Sequence, residues 1–120
     1  MAHHNQTGTK GEKLAVNYLI KNGYSIVATN WRYKKNEIDI IAQKNDLLVF
    51  IEVKTRSSEH FGSPEVFVTP QKRKRIIRAA NAYVLEKDLL IDARFDIITV
   101  VFEKGQHKIT YFKDAFSAFQ

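Results

Sequence analysis

Four charged residues, Glu37, Asp39, Glu52 and Lys54, sit in two apolar runs of the stretch EIDIIAQKNDLLVFIEVK, where a β-sheet would bury aliphatic side chains. Taking Asn45-Asp46 as a two-residue hairpin turn, Asp39 falls opposite Glu52 and Glu37 opposite Lys54. Period-two alternation then places all four on one face with Ile41, Gln43, Leu48 and Phe50. The other face, Ile38, Ile40, Ala42, Val49, Ile51 and Val53, carries no polar group. A three-residue turn would shift this register and separate the faces. Two carboxylates about 4 Å apart repel by roughly 4 kcal/mol at an effective dielectric of about 20. That charge is relieved in one of two ways. Lys54 and a second base neutralise it, as in a cross-strand ladder with Glu37 paired to Lys54, or a divalent cation does. Mg²⁺ takes oxygens from one or two carboxylates and keeps waters for the substrate side. Asp39 and Glu52 suit that use, with the Val53 carbonyl as a third oxygen.

The elements that must position these groups are marked by periodicity and punctuation. A first helix is expected over 10–22, with Thr9 as N-cap, Leu14, Ala15, Tyr18 and Leu19 on one face, and Gly23 ending it. Thr9-x-x-Glu12 then has the form of a capping box, which would fold the Glu12 carboxylate back on the N-cap amide. Strands are expected over 24–31, 37–43 and 47–55. A polar loop over 56–64 leads to Thr69-Pro70, an N-cap and N1 proline, and to a second helix ending near Lys87. Ile76, Ile77, Ala80, Tyr83 and Val84 form its inward face. A closing hairpin, 94–102 and 108–112, turns at Lys104-Gly105. The order αβββαββ predicts one α/β domain with a mixed five-stranded sheet flanked by helices, over 9–120, after a flexible leader, 1–8.

The second helix opens with Gln71, Lys72, Arg73, Lys74 and Arg75 in its first two turns. Cations there oppose the helix dipole, and a polyanion explains why they are tolerated, since basic side chains and helix amides both bind phosphate. An ordinary solvated face is the plainer explanation. The net charge of +6, from 19 Lys and Arg against 13 Asp and Glu, points the same way, towards nucleic acid. No cysteine is present, so disulfides and Cys-based zinc sites are excluded. No run is long and apolar enough to span a membrane, and a cytoplasmic protein is expected. Arg56, Ser57, Ser58 and His60 follow the acidic strand and are placed to line a substrate groove. Trp31 reads as a core residue, and Asp96 as a partner of Arg94 or of a helix cation.

Asp39 followed by Glu52-Val53-Lys54 resembles the PD-(D/E)XK motif of restriction-endonuclease-like nucleases, with isoleucine in place of the proline before the first acid. A wider set resembles the YraN-type family of uncharacterised bacterial proteins over nearly the whole chain after residue 10. That set is Gly11-Glu12, Gly23-Tyr24, Asn30-Trp31-Arg32, Glu37-Ile38-Asp39, the run 49–56 and Arg94-Phe95-Asp96. The resemblance implies the nuclease-superfamily fold, similar to that of archaeal Holliday-junction resolvases. By position it implies Asp39 and Glu52 as ligands of Mg²⁺ or Mn²⁺, with Glu12 as the first-helix acid beside them. It implies Lys54 as the group that orients the attacking water and offsets phosphate charge. The activity so implied is metal-dependent hydrolysis of DNA, branched or with single-stranded ends, with Arg56 and the basic helix on the backbone. A chain this small that cuts both strands is expected to form a homodimer. A non-catalytic nucleic-acid-binding module with the same fold, and a protein-interaction domain, are the alternatives.

Overall fold

The computed structural model describes residues 2–57 and 68–117, residues 2–7 by their backbone alone. Its elements are α1 (Ala2–Lys21), β1 (Ser25–Tyr33), β2 (Asn36–Lys44), β3 (Leu47–Arg56), α2 (Pro70–Glu86), β4 (Asp92–Glu103) and β5 (Gln106–Phe116). The strands form one sheet in the order β1-β2-β3-β4-β5. Only β3 and β4 run parallel; the other neighbours are antiparallel. A parallel pair needs a crossover, and α2 supplies it. The expected αβββαββ order and mixed sheet are therefore present.

The two hairpin turns expected from sequence form where local chemistry places them. Asn45 adopts a φ of 55°, and β2 pairs with β3 from Lys44–Leu47 to Ile40–Ile51, the register expected of a two-residue turn. Lys104 and Gly105 take φ values of 53° and 76° in succession, the signature of a type I′ turn. Gly23, at φ 89°, ends α1. The Tyr24 N–H donates to the Leu19 carbonyl at 3.0 Å and the Gly23 N–H to Ile20 at 3.1 Å, a Schellman pair. At the start of α2 the Thr69 hydroxyl accepts from the Lys72 N–H at 3.2 Å, with Pro70 next to it.

α1 departs from expectation at its start. It begins at Ala2, not near residue 10, and so takes in residues 2–8 that the sequence set apart as a leader. Gly8 is a poor helix former, but a single glycine costs only about 1 kcal/mol. Thr9 consequently lies inside the helix and is not its N-cap.

Each face of the sheet is covered by one helix. On the α1 side Ala15, Leu19, Ile40, Val49, Ile51 and Ile98 are buried together. On the α2 side Ile41, Phe50, Ile76, Ala80, Tyr83 and Phe95 are. Residues Leu48 to Glu52 of β3 are consequently buried in unbroken succession, as in any strand sandwiched between helices. Trp31 packs edge-on against Tyr83 at 5.2 Å, as a core residue. Ile38 does not share a face with Ile40, as alternation predicts, but joins the α2-side cluster. The phase of β2 therefore breaks at Asp39. Among the described residues no helix is long and apolar enough to cross a membrane.

Candidate functional site

The break in phase at Asp39 makes the site. The β1–β2 ladder pairs Thr29 with Ile40 and Trp31 with Ile38, passing over Asn30 and Asp39 between them. Asn30 sits at φ 52°, a left-handed conformation that asparagine tolerates better than most residues. On its other side β2 leaves β3 after Ile40–Ile51, while β3 stays paired to β4 through Arg56–Val101. The strands splay, and the Val53 N–H donates to the Asp39 carboxylate at 2.8 Å. A residue's N–H and C=O face the same neighbouring strand, so the Val53 carbonyl faces this opening too.

Asp39 and Glu52 are thus brought together by a splay and not as a direct ladder pair. Their carboxyl groups share a hydrogen bond. Burial first, and the Glu52 charge second, push the Asp39 carboxyl up to about 8, against the pull of the Val53 N–H. Glu52 is only 4 % exposed, and a charge so buried needs partners. It has two: Lys54 Nζ at 3.4 Å and Lys72 Nζ at 3.2 Å. Lys54 therefore pairs with Glu52, its neighbour two residues back, and not with Glu37. Glu37 lies opposite Arg32 on β1, with a loose ion pair at 3.9 Å. The Glu37–Lys54 ladder rung predicted from alternation is absent because the ladder ends before reaching it.

Glu12 joins this group from α1. Placed inside the helix and not at a cap, its side chain hydrogen-bonds Asn30. Burial raises its pKa, the Asn30 bond lowers it, and the charges of Glu37 and Glu52 raise it further. Gly11 allows this approach: a Cβ there would stand 2.2 Å from the Thr55 hydroxyl oxygen of β3. Glycine at 11 lets α1 lie directly on β3 with Glu12 beside the carboxylate pair. Asn30 and Gly11 stand in the motif set that carries the family resemblance, but neither has a role at the site there; their parts in it come from how α1 and β1 meet the acidic strands.

An open cleft of about 580 Å³ lies over these residues, and Glu12, Asp39, Glu52 and Lys54 line it. Arg56 and Ser57 line its far end. Among the described residues no three His, Cys, Asp or Glu converge as a ready-made metal cage. Two carboxylates and a carbonyl are nonetheless a donor set of the kind Mg²⁺ uses, since it retains waters and takes further oxygens from phosphate. A cation between them would relieve the repulsion that Glu52 exerts on the Asp39 carboxylate, so the residues fit the ion.

The basic residues at the tip of α2 do not act as a block. Lys72 turns inward to Glu52. The Arg73 guanidinium donates to the Val68 carbonyl at 3.0 Å, folding back over the helix start. Gln71, Lys74 and Arg75 are exposed, and Lys72, not Gln71, reaches the carboxylates. Asp96 is fully buried away from solvent, held by Arg94 at 2.8 Å, the Tyr111 hydroxyl and the Asp114 N–H at 2.8 Å. Of the two partners expected, Arg94 or a helix cation, it pairs with Arg94. Ser58 and His60 lie outside the described residues.

A sequence model of the uncharacterised protein family UPF0102 matches residues 11–100. UPF0102 protein FP2501 of Flavobacterium psychrophilum is 54 % identical over 119 residues, covering 99 % of this chain and 100 % of that one. A UPF0102 protein of Christiangramia forsetii is 46 % identical over the same shares. Among solved structures, SfsA of Pyrococcus furiosus in complex with Ca²⁺ matches with a TM-score of 0.43 and 13 % identity, over 94 % of this chain and 64 % of that one. A likeness of that size carries nothing across to the site.

Proposed function

The chain belongs to the uncharacterised protein family UPF0102, a name that assigns no activity, and from that footing we propose a metal-dependent endonuclease of the restriction-endonuclease-like kind that hydrolyses DNA phosphodiester bonds. One observation carries the reading: two carboxyl groups pressed together against electrostatic preference, beside a lysine, in an open cleft. Mg²⁺ or Mn²⁺ would be held by Asp39, Glu52 and the Val53 carbonyl, and supplies Lewis acidity and positive charge for attack on phosphate.

The chain's own groups have distinct tasks. Lys54 lines the cleft within ion-pair distance of Glu52, where its ammonium can orient a water or hold a non-bridging phosphate oxygen. Glu12, with its raised pKa, stands at the edge of the same space to accept or pass a proton. Arg56, at the end of the motif strand, and Lys74 and Arg75 near the tip of α2 grip flanking phosphates. Such contacts read backbone shape, not base sequence. Cutting both strands takes two copies of so small a chain, and a homodimer on DNA is part of the reading.

A second reading is favoured by a separate observation. Glu52 already has two ammonium partners, as it would in a nucleic-acid-binding module whose acids serve only the fold. Plasmid, single-stranded and four-way-junction DNA, incubated with the purified chain in Mg²⁺, Mn²⁺ or EDTA, separate the two. Cleavage that needs metal, falls at least about 100-fold in Lys54→Met and is abolished in Asp39→Asn and Glu52→Gln, is the expected result. Binding without cutting of any substrate, undiminished by those substitutions, would leave the module.

A further inference from the structure

A second groove of about 360 Å³ opens beside the carboxylate cleft, and Arg56 and Ser57 line both. Its other walls are Lys10 of α1 and the β4–β5 turn, including Phe102, Lys104 and Gly105. Among the described residues Glu103 is the one acid there. The Phe102 ring is half-buried, packed on the α1-side core. Lys10 Nζ lies 5.4 Å from its centroid, and the His107 ring lies 6.3 Å away. At Gly105 the space beyond the backbone is open. The groove is thus cationic, shallow and floored by an aromatic ring, and it runs directly out of the cleft.

Cations interleaved with an aromatic face suit a polynucleotide whose bases are unstacked. Phosphates take the ammonium and guanidinium groups, and any base can stack on the ring. A duplex offers the phosphates but keeps its base faces inside the helix. We propose that this groove holds a single-stranded arm of the substrate, with backbone phosphates on Lys10, Arg56 and Lys104 and one splayed base on Phe102. The Lys10 ammonium, which lies over that ring in the free protein, gives way to the base while keeping its phosphate. The inference rests on the nuclease reading of the cleft and names its substrate class: a polynucleotide with an unpaired arm beside the bond that is cut.

The test measures binding by fluorescence anisotropy, in the full chain carrying Asp39→Asn to prevent cutting. The ligands are a blunt DNA duplex and the same duplex with a short unpaired arm, of DNA in one series and RNA in another. The arm is expected to tighten binding roughly tenfold in at least one series, the scale of stacking one base on an aromatic side chain. Phe102→Leu, and separately Lys10→Gln with Lys104→Gln, should remove most of that gain. The lysine pair should also lower the salt slope by about 1–2. An arm that adds nothing, or variants that weaken armed and blunt ligands alike, would overturn the proposal. Should Phe102→Leu melt early, the two exposed lysines decide the matter alone. A wild-type chain that cuts with metal but shows no arm preference sinks this inference and leaves the nuclease standing. Arm binding that depends on the groove, in a wild-type chain that cuts nothing, has the reverse effect.

Discussion

Asp39 occupies a place where its charge is costly, and the cost has a measurable pH dependence. Its folded-state pKa is raised from 3.8 to about 8, by burial and then by Glu52. An acid shifted upward favours the fold while protonated. Its contribution is complete below its unfolded value near 3.8 and is lost as pH rises through about 8. Asp39→Asn, which keeps an oxygen for the Val53 N–H, should therefore leave metal-free stability nearly unchanged at pH 4. At pH 8–9 it should raise stability, on the order of 1–3 kcal/mol. Thermal melts across pH in EDTA check this. Mg²⁺ should raise the melting temperature of the wild-type chain at pH 8 and not that of Asp39→Asn. A stability difference between Asp39→Asn and the wild-type chain that is the same at pH 4 and pH 8 in EDTA would contradict the raised pKa. The types of these residues were legible at once, because acids and a lysine inside apolar strands break the pattern that burial imposes. Their partners were not: Glu52 takes Lys72 from α2, and Lys54 leaves Glu37 to Arg32.

Among the elements, α1 and β3 meet at the one contact that sets Glu12. A methyl at Gly11 would stand 2.2 Å from the Thr55 hydroxyl oxygen, so in Gly11→Ala the helix or the Thr55 side chain must shift. Overpacking of this kind costs about 1–3 kcal/mol. On the proposed nuclease reading it should lower metal-dependent DNA cleavage as well, by moving Glu12 away from the carboxylates. Thr55→Ala, which removes that oxygen, should recover much of the loss in the double variant. The coupling between the two positions, read from chemical denaturation of both single variants and the double, should be at least about 0.5 kcal/mol. Additive effects would mean that the helix does not rest on this contact. Most element boundaries were open to sequence because Gly23, Asn45, Thr69-Pro70 and Lys104-Gly105 act on their immediate neighbours. The start of α1 was not, since a single glycine is a weak stop. The phase break at Asp39 was hidden because Asn30 and Asp39 irregularities arise from strands that pair across the sheet.

Across the whole molecule the charge is +6, and the cations that line the two grooves come from α1, β3 and the β4–β5 turn. If DNA is the partner, as proposed, binding should weaken steeply with salt, with a slope of magnitude about 3–6 in log Kd against log salt concentration. Titrations between about 50 and 200 mM NaCl measure it, and an affinity indifferent to salt would point to a protein partner instead. The αβββαββ order, the turns, the capping of α2 and the candidate acids followed from the sequence alone, since each depends on φ preferences, hydrogen bonds or alternation within a few residues. Tertiary structure alone decided that Asp39 meets Glu52 through a splay, that Lys72 turns inward while Lys74 and Arg75 stay outside, and that Phe102 floors a groove next to the cleft. Those outcomes depend on how far two strands diverge and how closely a helix can dock, and both are set by packing between segments distant in the chain.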